Sequence, residues 1–339
     1  MQPRIEIEPH VEVIEMPDNL RVGLMVAEQR RTCVGVGCEF DYHAFAFGQS
    51  PFPVPGPLVR ALAENAVHGH YSAAEGIQEV REAIAGFNRR HFGLDVEPER
   101  VFVGPGTKDI IHTLFDVVAG DVVLPSPSWI GYSPQITLLE KRFHVYRLKR
   151  EHAYRIQPDE LDRFLGSLPR VQHTIVFNNP HNPTGVVYER EELESIASVC
   201  RKHQTLVLAD EIYALTTYEP GSFTSMGLVY PEGTFVTNGL SKDRSAGGYR
   251  FGYCIMPERN SDELEAAFTK VAATVYTNVA TPIQFAAVVA YQPSEEIEEY
   301  FHVTREIHRM MGTSLSRAFG DVPGVHATVP QGAFYLFVD

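Results

Sequence analysis

Lys242 stands in a segment whose residue types suit covalent chemistry on an amine. In GLSKDRSAGGYRFG it follows Ser241, and the glycines on both sides leave room for a bulky group beside its amine. A lysine at a strand end among small residues can be partly desolvated, which lowers its pKa and frees the amine as a nucleophile. Arg250 lies eight residues further on, where its guanidinium could clamp a phosphate. Lys242 could alternatively be a solvated surface lysine. The choice between these two interpretations depends on the residues of other segments.

Two further segments carry groups that suit a pyridine ring with a phenolic oxygen. Asp210 directly follows the apolar run TLVLA. It can act as a helix cap or a structural acceptor, or it can pair with a protonated pyridine nitrogen. Asn182 lies in NNPHNPTG, which is either a simple tight turn or a rigid mount for its amide. Tyr213, three residues after Asp210, could reach the same phenolic oxygen.

The segment GPGT at 104–107 predicts an anion site. It ends a strand and opens a helix, so backbone N–H groups and the helix dipole favour an anion, and Thr107 adds a hydroxyl. The segment lacks the third glycine of a dinucleotide fingerprint and is not a P-loop. Trp129, the single tryptophan, either packs in the core or stacks on a planar cofactor.

The elements that must position these residues alternate between strand-like and helix-like patterns from about residue 58. This alternation predicts an α/β fold, with a mostly parallel central sheet and helices on both faces. Ligands of such sheets bind outside the carboxyl ends of the strands. The segments that carry Lys242, Asp210 and Asn182, and the GPGT segment, each fall at the carboxyl end of a predicted strand. The predicted strands are 101–103, 121–127, 173–180, 205–213 and 234–242.

We expect three regions along the chain. Residues 1–50 form an N-terminal arm and part of a small domain, 51–290 a large ligand-binding domain, and 291–339 the rest of a smaller α+β domain. Residues 40–57 predict an ordered, irregular crossing segment. The last region predicts a long helix over 294–319 and a strand at AFYLFV, 333–338. One apolar stripe is expected to face the core along that helix: Ile297, Phe301, Ile307, Met311, Leu315 and Phe319.

Composition narrows the setting. The formal net charge of −14 argues against binding to nucleic acid and to anionic membranes. No apolar run approaches the roughly 20 residues of a membrane span, and the first residues lack the layout of a signal peptide. The four cysteines form neither a CxxC pair nor a disulfide framework. We therefore expect a cytoplasmic protein without membrane or nucleic-acid partners.

Together, NPHNPTG, ADEIY and GLSKDRSAGGYRFG resemble, in order and spacing, the class I/II aminotransferases of the fold-type I enzymes that depend on pyridoxal 5'-phosphate (PLP). The resemblance runs from about residue 40 to the end. It implies that the chain moves the amino group of an L-amino acid to a 2-oxo acid. It also implies a homodimer.

The resemblance assigns roles to individual residues. Lys242 is similar to the lysine that forms the Schiff base with PLP and moves protons, and Asp210 to the partner of the pyridine nitrogen. Asn182 and Tyr213 are similar to the two residues that hydrogen-bond the phenolic oxygen of PLP. The resemblance also implies a catalytic role for Tyr213. Arg250 is similar to the arginine that binds the phosphate.

Further positions are implied to contact the cofactor or substrate. Tyr71 is similar to a tyrosine that reaches the phosphate in the partner subunit, and Gly48 to a glycine near the substrate carboxylate. The remaining cofactor contacts are Gly106, Thr107, Lys108, Trp129 and Ser241.

One departure and two alternatives accompany this resemblance. The family's arginine for the substrate carboxylate lies downstream of the strand that AFYLFV resembles, so we expect the chain to be part of a longer protein. PLP-dependent lyases, synthases and oxidases share every motif named above. An aminotransferase-like regulatory module without activity is a further alternative, although such modules follow a basic DNA-binding domain and the arm here begins acidic.

Overall fold

A single sheet forms the centre of the structure, a computed structural model that describes residues 6–33, 45 and 47–339. Its strands are β1 (Val101–Gly104), β2 (Asp121–Ser126), β3 (Phe143–Arg147), β4 (His173–Asn178), β5 (Leu206–Asp210), β6 (Thr234–Gly239) and β7 (Gly252–Ile255). The strand order is β1-β7-β6-β5-β4-β2-β3. Among these strands, only β7 runs against the others.

Helices cover this sheet and also precede and follow it along the chain. They are α1 (Pro9–Glu12), α2 (Asp18–Cys33), α3 (Gly56–Asn65), α4 (Gln78–Phe92), α5 (Thr107–Val117), α6 (Tyr132–Leu138), α7 (Pro158–Ser167), α8 (Arg190–His203), α9 (Met226–Val229), α10 (Ser261–Val275), α11 (Thr281–Tyr291) and α12 (Glu295–Gly320).

Two apolar cores lie on the two faces of the sheet. Strand residues alternate between them, so that Val123 of β2 belongs to one core and Val122 to the other. The first core includes side chains of α3, α4, α7, α8 and α11, and the second includes side chains of α5, α6 and α10. Strands β4 and β6 are buried along their whole length, as expected for parallel strands covered on both faces. The predicted fold class is thus confirmed.

The long helix near the carboxyl end is confirmed, but only two of the six residues of its predicted apolar stripe are buried. Ser294 caps α12 by accepting from the backbone N–H of Ile297. Ile297 and Phe301 are buried in the first core. Further along, the buried positions are occupied by the polar Thr304, His308 and Ser316. The exposed remainder of the stripe is Ile307, Met311, Leu315 and Phe319.

The predicted strand at 333–338 is wrong. The segment forms one isolated antiparallel bridge, between Val338 and Ala327, and is otherwise irregular. Its only described ladder contacts are with residues 326–328, so it lacks the neighbouring strands that a longer run would need. Two of its aromatic side chains, Phe334 and Tyr335, instead pack against Tyr213, and Phe337 packs against Tyr154.

The amino-terminal part is more helical than expected, because the arm contains the helix α2. None of the side chains of α2 is buried. Of the predicted crossing segment at 40–57, residues 40–44 and 46 lie outside the described residues, and 47–55 contain no helix or strand, as predicted.

Cys33 is disulfide-bonded, whereas Cys200 and Cys254 are buried free thiols. In the part of the chain that the structure covers, no helix is long and apolar enough to span a membrane.

Candidate active site

A cavity of about 790 Å³ opens at the carboxyl ends of β4, β5 and β6. It is lined by the loops after these strands, by the start of α5, and by Asn19 of α2. All predicted site residues except Gly106 and Tyr71 line this cavity. The convergence that the sequence predicted at one sheet edge is therefore present in the structure.

Lys242 lies in the loop after β6 and projects its amine into this cavity. Its Nζ donates a hydrogen bond of 2.5 Å to the carbonyl oxygen of Gly48 and lies 5.6 Å from the ring centroid of Tyr213. Burial lowers the pKa of the Lys242 amine to about 8, and the positive charges of Arg250 and Lys108 act in the same direction, against the opposing effect of Asp210. The neutral, nucleophilic form is therefore far more populated near neutral pH than in an ordinary lysine.

Asp210, the last residue of β5, is a buried carboxylate with few donors. Its Oδ2 accepts a hydrogen bond of 2.6 Å from the Tyr132 hydroxyl, and its Oδ1 accepts a long one of 3.4 Å from the backbone N–H of Ile212. Burial raises the pKa of the Asp210 carboxyl, although the Tyr132 hydrogen bond and the charge of Lys242 lower it. A buried carboxylate in this state favours a cationic N–H donor from a ligand.

The loop after β4 is held by side-chain hydrogen bonds at its base. Asn178 accepts from the backbone N–H of Asn182 at 2.6 Å and donates to the carbonyl oxygen of Asp210 at 2.7 Å. The peptide bonds before Pro180 and Pro183 are cis. The two hydrogen bonds of Asn178 fix the Asn182 backbone next to the end of β5, and Asn182 lines the cavity.

Tyr213 meets a second tyrosine across the cavity. Its hydroxyl lies 2.5 Å from that of Tyr335, and either oxygen can donate. The pKa of the Tyr213 hydroxyl is raised well above its usual range, mainly by burial and further by the neighbouring Tyr335 hydroxyl. Both hydroxyls therefore stay protonated near neutral pH, so the pair can donate a hydrogen bond to a ligand oxygen.

The start of α5 forms one end of the cavity and suits an anion. Gly106 precedes the helix with φ +90, and a Cβ added there would lie 2.5 Å from Nη2 of Arg250. The Arg250 guanidinium is held in place by its hydrogen bond of 2.8 Å to the carbonyl oxygen of Gly247. Thr107 is the first residue of α5 and lines the cavity. Free N–H groups at a helix start together with a guanidinium can bind a phosphate group.

Lys108 and Trp129 form a cation–π pair on the same wall. The Lys108 amine lies 5.3 Å from the centroid of the Trp129 ring system, and Trp129 packs edge-on against Tyr132 at 5.0 Å. Burial, with the nearby charge of Arg250, lowers the pKa of Lys108. The structure thus places Trp129 half-buried at the cavity, with its ring in reach of a planar ligand.

The remaining predicted residues differ in their placement. Ser241 lines the cavity beside Lys242. At Gly48 an added Cβ would lie 2.0 Å from the Tyr335 hydroxyl oxygen, so a larger residue does not fit. Tyr71 is 85% exposed and does not line the cavity. Its predicted role involves a second subunit and stays a prediction.

The cavity lining includes polar residues that the sequence did not single out, among them Tyr132, Asn178, Asn19 and Tyr335. Tyr132 lies only three residues after Trp129, and this short separation is a signal for it. Asn178 lies near the end of the predicted strand 173–180, which is also a signal for this edge of the sheet. Nothing in the sequence of α2 indicates that Asn19 reaches the site.

The residues present fit PLP. The cavity brings together an amine with a lowered pKa, a buried carboxylate with spare acceptor capacity, hydroxyl donors and an anion site. These match, respectively, the aldehyde, the pyridine nitrogen, the phenolic oxygen and the phosphate of that cofactor.

Comparisons with known proteins agree with this geometry. A family model described as aminotransferase class I and II matches residues 46–339. The aspartate aminotransferase of Bacillus subtilis is 31% identical over 307 residues, covering 88% of this chain and 75% of the relative. The asparagine–oxo-acid transaminase of Streptococcus mutans is 29% identical, covering 96% of this chain and 81% of the relative.

A solved structure, described as aspartate aminotransferase from Thermus thermophilus with maleate, is similar to this chain in fold. The TM-score is 0.88 at 28% sequence identity, covering 99% of this chain and 85% of that chain. The fold, the motifs and the family match lead to one conclusion. The chain belongs to the class I and II aminotransferase family.

Proposed function

We propose that this aminotransferase holds PLP covalently on Lys242 and transfers the amino group of an L-amino acid to a 2-oxo acid. Members of the family are PLP enzymes. The observation that carries the proposal is the position of the Lys242 amine, with its pKa lowered to about 8, in the same cavity as the buried Asp210. Aspartate is the first substrate to test, because relatives named aspartate aminotransferase are similar over most of the chain.

The chain's own groups divide the work. Bound PLP supplies an electron sink for the negative charge that develops at the substrate α-carbon. Asp210 would hold a proton on the pyridine nitrogen, and Tyr213 and Asn182 would hydrogen-bond the phenolic oxygen. Arg250, with the backbone at the start of α5, would bind the phosphate. Lys242, once its amine is free and neutral, would take the α-proton onto Nζ as general base and would then donate it away from the α-carbon as general acid.

The proposal includes a homodimer in which Tyr71 reaches the partner's cofactor. Its support is the 85% exposure of Tyr71, which leaves the ring available to a second subunit.

Nitrogen transfer tests the proposed reaction directly. The protein is loaded with PLP and given ¹⁵N-labelled L-aspartate, with and without a 2-oxo acid acceptor. Label in the amino acid made from the acceptor, with turnover that stops when the acceptor is omitted, supports the proposal. Continued release of labelled ammonia without an acceptor would instead indicate a lyase or an oxidase and would overturn it.

The reactivity of the Lys242 amine should rise with pH around a midpoint near 8. Only the neutral amine reacts with an anhydride, and burial lowers the pKa of this amine to about 8 from 10.5. The measurement is acetylation of Lys242 in PLP-free protein, followed by mass spectrometry across a pH series. The exposed Lys202 in the same sample reports reagent loss. A rate that keeps climbing to pH 10.5 would contradict the expected burial of the amine.

Gly106→Ala should weaken the anion site. The backbone there has φ +90 and ψ 156, a region essentially restricted to glycine, and a residue with a Cβ held there costs on the order of 1–3 kcal/mol. The new methyl would also lie 2.5 Å from Nη2 of Arg250 and displace it. We expect the Kd for inorganic phosphate, measured by calorimetry on PLP-free protein, to rise about tenfold or more. Gly320→Ala is the control, because an added Cβ there meets nothing within 4 Å. Equal Kd values for the two variants would argue against an anion site at the start of α5.

A further inference from the structure

Asp121, His144 and His173 form a cluster at the end of the sheet opposite to Lys242. Asp121 opens β2, His173 opens β4, and His144 is the second residue of β3. Their candidate ligand atoms all lie within 4.8 Å of one another. Because β2 rises about 3.3 Å per residue, this cluster is on the order of 15–20 Å from the carboxyl ends of the strands.

The strand register places the three side chains on one face of the sheet. Asp121 is directly opposite His173, and Val123 is directly opposite His144. Since residues i and i+2 of a strand share a face, Asp121 and Val123 point the same way, and their two partners do as well. The cluster is therefore a consequence of the strand order β4-β2-β3.

One imidazole nitrogen in this cluster is left without a partner. His173 is 6% exposed, and its Nε2 is buried without a hydrogen-bond partner among the described residues. An unpaired buried polar atom costs about 1–3 kcal/mol, so it calls for an explanation. Next to it, Nε2 of His144 lies 2.8 Å from Oδ2 of Asp121, and the two histidine rings are 5.9 Å apart.

We propose that Asp121, His144 and His173 bind a divalent transition-metal ion of the Zn²⁺ type. Two imidazole nitrogens and one carboxylate oxygen are a common protein ligand set for such ions. Bonds of about 2.0–2.2 Å place ligand atoms roughly 3.3 Å apart in a tetrahedral site. The spread of 4.8 Å thus closes with small side-chain rotations. Water completes the coordination, since His173 borders a groove of about 1000 Å³.

Neighbouring cations do not block this site. Nη1 of Arg142 lies 3.9 Å from Oδ2 of Asp121, but its side chain is largely exposed and can turn into solvent. The amine of Lys141 is already engaged by the carbonyl oxygen of Val118. A bound ion would join the edge strand β3 to β2 and β4, so its expected effect is on stability. The proposal does not rest on the proposed aminotransferase function.

Calorimetric titration of the PLP-loaded protein with Zn²⁺ tests the site. We expect wild type to bind one equivalent of Zn²⁺ more than His144→Ala, or to bind that equivalent at least about 100-fold more tightly. Loss of a residue that only orients a metal ligand lowers metal affinity by about 10–100-fold, and loss of a direct ligand should lower it at least as much. Zn²⁺ should raise the Tm of wild type but not of Asp121→Asn. His203→Ala is the matched control, because His203 lines the same groove but pairs with Asp162 at 2.6 Å.

Equal Zn²⁺ stoichiometry and affinity in wild type, His144→Ala and Asp121→Asn would overturn the proposal and leave an ordinary ion pair. Loss of binding in His203→Ala as large as in His144→Ala would also overturn it. Asp121 and His144 are both partly exposed, so these variants decide the question even if His173→Ala does not fold. Nitrogen transfer should be unchanged in all of them, which separates this test from that of the proposed function.

Discussion

Lys242→Ala is expected to lower kcat by about 10⁴-fold or more, the upper end of what a positioned proton-transfer group contributes. The variant loses both the covalent hold on the cofactor and the base that moves the α-proton. Steady-state nitrogen transfer with saturating PLP measures the effect. Lys202→Ala, at an exposed lysine paired with Asp162, should behave as wild type.

A second readout separates lost chemistry from lost structure. Burial lowers the pKa of the Lys242 amine in the folded protein. At pH values where this amine is charged in the unfolded chain, the lowered pKa reduces the free energy of unfolding. Lys242→Ala should therefore be no less stable than wild type in the PLP-free form at neutral pH. Added methylamine should restore part of its activity. A variant that keeps more than a hundredth of wild-type kcat would contradict the assigned role.

Asp210→Asn is expected to lower kcat by about 10²–10³-fold, similar to the loss of one well-placed electrostatic contact in an active site. The amide keeps an acceptor for the Tyr132 hydroxyl but removes the negative charge that would hold a proton on the pyridine nitrogen. Asp210→Glu keeps the charge and should recover part of the activity. Kinetics with saturating PLP and aspartate measure both variants.

Stability should move in the opposite direction. Burial raises the pKa of Asp210 in the folded protein, so the ionised carboxylate costs stability at pH values above its unfolded pKa. At neutral pH, the PLP-free Asp210→Asn protein should therefore have a Tm equal to or above that of wild type. Lost activity together with a lowered Tm would indicate a structural role instead.

Glu211→Gln is the matched control for Asp210. Glu211 is equally buried, but its Oε1 accepts from the Ser225 hydroxyl and the backbone N–H of Met226, away from the cavity. Burial raises the pKa of Glu211 to about 8, so the neutral amide resembles the form it takes near neutral pH. We expect wild-type kcat from Glu211→Gln. An equal loss in both variants would remove the special role of Asp210.

Much of the site could be predicted from the sequence because its residues follow apolar runs. Asp210, Asn182 and Lys242 each come at or after the end of a strand, and parallel strands end at one edge of a sheet. Local patterns were sufficient to place them together. The helix cap at Gly106 is equally local, since it depends on a short loop between a strand and a helix.

Residues that depend on packing could not be predicted in this way. The AFYLFV run has the composition of a strand, but in the described structure it forms a single isolated bridge, and its Phe334 and Tyr335 rings pack against Tyr213. Tyr335 thereby becomes part of the site. The antiparallel strand β7 is only four residues long and starts with a glycine, so it is too short to show a detectable strand periodicity in the sequence. The metal-type cluster depends on strand order, which no local pattern contains.

The covalent attachment of PLP to Lys242 is the central claim, and reduction with borohydride tests it most directly. The PLP-loaded protein is reduced, which makes a lysine–PLP linkage permanent, and is then digested and mapped by mass spectrometry. We predict the added mass on Lys242 in close to stoichiometric amount, and on no other lysine to a comparable extent. Modification mainly at Lys108, or none at Lys242, would contradict the account.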